Sequence, residues 1–508
     1  MELELKQNTW DCFEIAADFT ATQEESTEMI VPDSSPDISR IISAEGEVFV
    51  RSAEARDGKA EIAGVVQLSL LYIPEKTPML QILEYTMPFL MVEDCPKDCG
   101  ILRAKLHIEE VHAKTLNPRK VHLQCRLGGD VIGYRHLSLP YTEDLQDSEK
   151  ACTEKLVQCE SVTAITSLEE RDFSYEETVR LPQNRGAVSM IACSRIRTHV
   201  GESKIVGKRA IVKGDCFADF LIRYENGHCE SSSFELPFSH ITELDATQES
   251  ALQTFLQVSA VEPRIVSDED AGSEIRLSLF GKLQLTVTER RELRVLSDLY
   301  STAYETEVDR QELQIYDPGA SICRRQIWQD TLEVGLVPER ILWISASCGP
   351  VSAYRSAGRE AELRTMLRLR VLYAGEEGRI LAAERSGEVL LPFEESGESL
   401  RCRAVCGREA AAVVTQDGIT LRVPVDFTIE SRRMKKIGCV KAVHYEETKT
   451  KDISAMPSLV LRRKKTGETL WQIAKQHNTA CADILLANGC KDENDLRENC
   501  LLLIPKRR

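Results

Sequence analysis

The 508-residue sequence predicts a mainly β protein: three tandem β-sandwich-like repeats followed by a small βααβ domain. Three observations predict it. Through residues 1–444, short runs rich in Val, Ile and Leu alternate apolar with polar side chains. Gly, Pro, Asn or Asp breaks them every ~8 to 12 residues, the pattern of half-buried strands in sandwiches and barrels. Within that body a strand–turn–strand segment recurs three times. The last fifty residues depart from it, setting apolar side chains at helical spacing between two short apolar strands.

The alternation is plain in Val121-His-Leu123-Gln-Cys125-Arg-Leu127, in Ile275-Arg-Leu277-Ser-Leu279 and in Ile419-Thr-Leu421-Arg-Val423-Pro-Val425. Successive side chains of a strand point to opposite faces, so each run packs one face on a core and turns the other to water. Long helical periodicity is absent here. The recurring segment reads "AEIAGVVQLSLLYIPEKTPMLQILEYTMPF" to Phe89, "AIVKGDCFADFLIRYENGHCESSSFELPF" to Phe238 and "AELRTMLRLRVLYAGEEGRILAAERSGEVLLPF" to Phe393. Each copy has an apolar strand closing on Tyr72, Tyr224 or Tyr373, then a polar turn, then a strand closing on Pro-Phe. A proline at a sheet edge ends the strand and the aromatic rings fill a core, so these residues are expected to be structural. The copies predict units 1–150, 151–300 and 301–444, arranged in a row. A polar linker over 445–457 and a terminal domain over 458–508 follow.

Only the first copy carries "VPDSSPDISRIISAEGEV", Val31 to Val48; "LPQNRGAVSMI" and "VPERILWISA" stand at similar places in the others. Prolines on either side of Asp33 hold the segment extended and keep it out of a helix.

In "TGETLWQIAKQHN", Thr466 to Asn478, Leu470, Ile473 and Ala474 fall on one face of a short helix, which Thr466 or Thr469 can cap through its hydroxyl. "ADILLANG", Ala482 to Gly489, gives a second short helix with an Asn488-Gly489 stop. Leu459-Val460-Leu461 and Leu502-Leu503-Ile504-Pro505 supply the flanking strands. Asn499, in the turn before the last strand, tolerates the left-handed conformation.

Composition narrows the function. Hydrophobic residues at 42% and charged residues at 29% exclude a disordered or fibrous chain. The N-terminal stretch lacks the basic and apolar regions of a secretory signal, and no apolar run reaches the ~18 to 20 residues that cross a bilayer as a helix. A soluble chain that keeps its 17 cysteines reduced is therefore expected. The pairs Cys95/Cys99 and Cys402/Cys406 are spaced C-x3-C with no matching Cys/His pair at a zinc spacing, so neither a metal nor a cofactor is expected. Net charge is −17, divided into +4 on residues 458–508 and −21 on the remainder. An acidic body argues against a nucleic-acid binder, and the basic terminal domain suits either an acidic partner or a plain solvated face.

No G-x-S-x-G, H-E-x-x-H, Walker A or G-x-G-x-x-G motif is present. His107 and His112 fall on opposite faces of one strand. The chain is not expected to be an enzyme.

Two stretches resemble known families. "VPDSSPDISRII" with "GKAEIAGVVQLSLLY" resembles the SPOCS domain of sporulation-associated proteins, which makes the body three SPOCS-type repeats, the second and third divergent. Thr466-Gly467-Glu468-Thr469-Leu470-Trp471 resembles the core of LysM modules, known for binding N-acetylglucosamine in cell-wall glycans. The order of domains is similar to that of the spore-coat morphogenetic proteins. That resemblance implies a mother-cell protein at the forespore surface. Its LysM would bind the coat basal-layer ATPase, stage IV sporulation protein A, rather than peptidoglycan. A wall-associated glycan binder is the alternative, and an enzyme built on one sandwich a third. The flanks "RRKK" and "CLLL" are more apolar and more basic than a sugar site wants. The candidate partner-binding residues are Trp471, Leu459, Leu470, Ile473, Arg462 and Arg463, with the Trp471 ring partly exposed beside Leu459. The terminal domain is expected to separate from the body without loss of body stability.

Overall fold

Alternation in the sequence becomes the pleat of long antiparallel strands. A computed structural model describes residues 4–146, 152–182, 186–247, 249–268, 272–335, 337–354, 361–393, 399–451 and 457–505. The body holds three units of one plan, each opening and closing on a long strand. The first comprises β1 (Leu5–Ile30), β2 (Ile38–Arg56), β3 (Lys59–Pro74), β4 (Gln81–Asp94), β5 (Ile101–Asn117) and β6 (Lys120–Leu145). The second comprises β7 (Thr153–Arg180), β8 (Val188–Val206), β9 (Arg209–Tyr224), β10 (Cys229–Glu243), β11 (Ala251–Asp268) and β12 (Gly272–Ser301). The third comprises β13 (Tyr304–Leu332), β14 (Pro338–Cys348), β15 (Ser352–Tyr354), β16 (Ala361–Gly375), β17 (Ile380–Phe393), β18 (Ser399–Cys406), β19 (Ala411–Thr415) and β20 (Gly418–Thr450).

Within each unit the two long strands pair along their length, β1 with β6, β7 with β12 and β13 with β20. A smaller sheet stacks on that pair: β2-β3-β4, β8-β9-β10, and β14-β16-β17 with β15 also on β16. The first core joins Met29 and Leu123 of the long pair to Ile62, Val66 and Phe89 of the small sheet. In the second, Phe173 and Leu279 meet Val212, Phe220 and Phe238. Leu363 and Val389 meet Val423 and Phe427 in the third. Each unit is thus a two-layer β-sandwich, and the body is mainly β as predicted. A register shift lies partway along each long pair, between Ile15 and Ala17, Val287 and Thr288, and Pro318 and Ser321. Such irregularities bend a strand.

The units do not lie in a row. One core gathers Leu71 and Leu80 of the first unit, Cys193 and Leu221 of the second, and Leu342, Trp343 and Leu372 of the third. Another gathers Trp10 and Tyr141 with Leu293 and Val295 and with Leu313 and Ile437. Each sandwich leaves apolar side chains on faces that its own two layers do not cover. Burying them against the other two units removes that area from water, at about 25 cal/mol per Å².

The repeated anchor packs as its aromatic residues suggest. Tyr72, Tyr224 and Tyr373 are buried, as are Phe89 and Phe238, while Phe393 is half-buried. The prolines sit on edge strands, where a missing N–H breaks no ladder. They do not end those strands in the first two units, because β4 runs on to Asp94 and β10 to Glu243. The segment found only in the first unit is held by Arg119. Its guanidinium donates to the Val31 carbonyl (2.9 Å) and Asp33 (2.9 Å), and to the Ser35 carbonyl (3.1 Å) and Asp37 (2.8 Å).

Strand β20 continues through Thr450, six residues into the stretch expected as a linker. Residues 452–456 of that stretch, and 506–508 of the basic tail, lie outside the described residues. Among the described residues no helix is long and apolar enough to cross a membrane.

Candidate functional site

The terminal domain follows the predicted order, β21 (Leu459–Arg463), α1 (Leu470–Gln476), α2 (Cys481–Ala487) and β22 (Leu501–Pro505). Of the two candidate caps, Thr469 starts α1. Its hydroxyl accepts from the Gln472 N–H at 3.2 Å while the Gln472 side chain accepts from the Thr469 N–H at 3.1 Å, a capping box. Glu493 accepts a further free N–H of that turn, from Leu470, at 2.6 Å. Asn478, with φ 52°, and Gly489, with φ 68°, turn the chain after the two helices, and Asn499, with φ 60°, adopts the left-handed conformation expected of it. Asn488 stitches α2 to β22. Its amide donates to the Ile484 and Leu503 carbonyls, both at 2.7 Å, and its oxygen accepts from the Leu503 N–H at 2.8 Å.

The six candidate residues fall into three settings. Leu470 and Ile473 are buried with Ile484, Leu502 and Ile504 in the domain's small core, so they carry α1 and do not face outward. Trp471 faces the body. Its ring meets Tyr300 edge-on at 4.9 Å between centroids, and its Nε1 donates to Asp298 at 2.8 Å. Arg462 is occupied by Glu468 and by the Gln476 oxygen. Backbone donation from Lys465 and the Arg462 charge hold the Glu468 carboxyl below the usual range.

Leu459 and Arg463 lie on the outward pleat of the two-stranded sheet. Alternation puts Leu459, Leu461 and Arg463 of β21 on one face. Their cross-strand partners are Pro505, Leu503 and Leu501. Leu459, Leu461 and Leu501 are 54%, 59% and 57% exposed. This leucine face with Arg463 on its margin is an open apolar surface of the domain; Leu486 of α2 is exposed as well. Leu461, Leu501 and Leu503 were not among the expected site residues. The alternation of Leu-Val-Leu and Leu-Leu-Leu is the signal that places them there, once the strands are known to pair.

The body completes the domain's core, contrary to the expected independence of the two. Tyr300, at the end of β12, is buried among Leu470, Ile473 and Leu496, and its hydroxyl donates to the Thr479 carbonyl at 2.7 Å. Lys475 donates to both Asp298 oxygens at 2.8 and 2.7 Å, and Lys451 reaches Asn478 at 2.6 Å. Elsewhere, His107 and His112 share one face of β5, contrary to the alternation expected of them, because an irregularity between Ile108 and Glu110 sets them opposite Gly128 and Gln124 of β6; His112 is exposed and His107 half-buried. Among the described residues no group of three or more His, Cys, Asp or Glu is placed to hold a metal.

One segment of the first unit matches a SPOCS domain and the terminal domain matches a LysM domain, a pairing that supports a sporulation coat-associated protein with a module of the peptidoglycan-binding type. Residues 37–117, spanning β2 to β5 of the first unit, match the family described as SipL, SPOCS domain, and residues 465–505 match the LysM domain. No curated protein and no solved structure matches the chain significantly.

Proposed function

We propose that the chain is a non-enzymatic adaptor of spore-coat assembly. Its LysM docks on the coat basal-layer ATPase, stage IV sporulation protein A, at the forespore surface in the mother cell, and the β units scaffold further coat protein. The observation that carries this reading is the leucine face formed by Leu459, Leu461, Leu501 and Leu503 with Arg463 at its edge. A sugar groove works through polar side chains and backbone; three half-exposed leucines on one pleat suit an apolar protein surface. The basic charge of the domain suits an acidic rim on that partner and would make association salt-sensitive.

The test is binding of the full-length protein to the purified ATPase. Leu461→Arg and Leu501→Arg are each expected to weaken it about thirtyfold or more, as loss of ~2 kcal/mol of hot-spot burial does, with far-UV circular dichroism unchanged. Folded variants that bind normally would move the docking site elsewhere. The LysM match favours one other reading, a peptidoglycan binder. Saturable sedimentation with purified peptidoglycan, together with no affinity for the ATPase, would establish that reading instead.

A further inference from the structure

The thiol that Cys406 meets is not Cys402, its neighbour in the C-x3-C spacing, but Cys348. Their sulfurs are 3.2 Å apart. The two strands involved are not paired with each other. Cys348 ends β14 in the small sheet of the third unit, and Cys406 ends β18 in the sheet of the long strands. Each is followed by a glycine, Gly349 and Gly407, whose backbone adapts more freely than that of other residues. A disulfide needs sulfurs at about 2 Å, so closure asks for a movement of roughly 1 Å at two strand ends.

Both thiols line a cavity of about 590 Å³ where the three units meet, walled also by Arg195 and Arg197 of the second unit and Trp343 of the third. A small oxidant can therefore reach both sulfurs. The Cys348 thiol beside it and burial push the Cys406 thiol up, while the two guanidiniums pull the other way.

We propose that Cys348 and Cys406 form a disulfide on exposure to a hydroperoxide, a covalent clamp between the two layers of the third unit. One thiol attacks a peroxide oxygen and the O–O bond breaks, giving a sulfenic acid and water. The second thiol attacks the sulfenic sulfur, the S–O bond breaks, and its oxygen leaves as a second water. Two thiols and one hydrogen peroxide thus give one disulfide and two waters. The bond closes a loop spanning 58 positions of sequence. Cross-links of that reach restrict the unfolded chain strongly.

The test uses the full chain carrying Cys152→Ser, Cys159→Ser and Cys323→Ser, which removes the exposed thiols. Stoichiometric hydrogen peroxide is expected to lower the intact mass by about 2 Da, the loss of two hydrogens. A non-reducing peptide map should join the Cys348 and Cys406 peptides. The melting temperature should rise by a few degrees and return on treatment with dithiothreitol. Cys406→Ser should abolish the link and the rise together. If that variant folds poorly, Cys348→Ala makes the same test from the other side, and the map of the parent chain needs neither. The clamp is overturned if either cysteine joins Cys402 or any other thiol, if both end as separate sulfinic acids, or if the link forms without raising the melting temperature.

Discussion

Trp471 and Asp298 are joined by a hydrogen bond of 2.8 Å between residues 173 positions apart. The same carboxylate takes both contacts from Lys475 and a third donor, Arg310, at 2.6 Å. It is largely withdrawn from solvent, at 16% side-chain exposure. One aspartate of the second unit therefore seats the LysM, with Tyr300 two residues on filling the LysM core.

Replacing Asp298 with Ala should lower stability by about 2 kcal/mol, because it strands a half-buried lysine and the indole N–H without an acceptor. Urea denaturation followed by tryptophan fluorescence would measure this. Ending the chain after Lys451 should cost the body a similar amount, about 2 kcal/mol, by uncovering the Tyr300 ring. An unchanged melting curve for that truncation would argue against the docked arrangement.

The seat should also depend on pH. Burial pushes the Asp298 carboxyl up, and hydrogen bonds from Lys475, Trp471 and Arg310 more than offset it, leaving the group below its ordinary range. A carboxyl with a depressed pKa in the folded state stabilises above its unfolded value of ~3.9, and that stabilisation is lost as pH falls through the folded value. Stability should therefore drop from about pH 4 downward. The part of the drop that disappears in Asp298→Asn, read from melting curves at pH 3 to 6, is the part owed to this carboxyl.

Gly214 faces Phe238 across the β9–β10 ladder, as Gly64 faces Phe89 in the first unit. A Cβ at Gly214 would lie 2.2 Å from the His199 carbonyl and 2.6 Å from the Phe238 ring. Gly214→Ala should therefore destabilise by about 1–3 kcal/mol, the usual range for overpacking a core. The third unit has Thr365 at the corresponding place. Its Phe393 pairs instead with Ala361, four residues away, so no ring demands a glycine there.

Arg119→Met should free the Val31–Asp37 segment, which takes four hydrogen bonds from that one guanidinium. The melting temperature should fall by a few degrees, and amide exchange should rise at Val31 and Ile38, whose N–H groups donate to the Arg119 and Pro118 carbonyls.

Alternation made the strands legible. Ile275, Leu277 and Leu279, and likewise Ile419, Leu421, Val423 and Val425, are all fully buried on the face their spacing assigned. Helix punctuation was equally readable in Thr469, Asn488 and Asn499, because caps and left-handed turns depend on local chemistry. What escaped is what buries each face. Periodicity tells which side of a strand is apolar and says nothing of its distant neighbour. Hence units that share two cores were read as a row, and the Trp471 ring as partly exposed beside Leu459. The same limit hid the meeting of Cys406 with Cys348, whose sulfur belongs to a strand on the other layer.

The core that binds Trp10 to Ile437 also sets a schedule for the ribosome. The first indole emerges about 430 residues before its last partner, and at 5–20 residues per second that is a wait of roughly 20–90 s. Throughout that interval the faces meant for the third unit stand open on a half-made chain. The nascent protein is thus most exposed to self-association, and to chaperones, late in its synthesis.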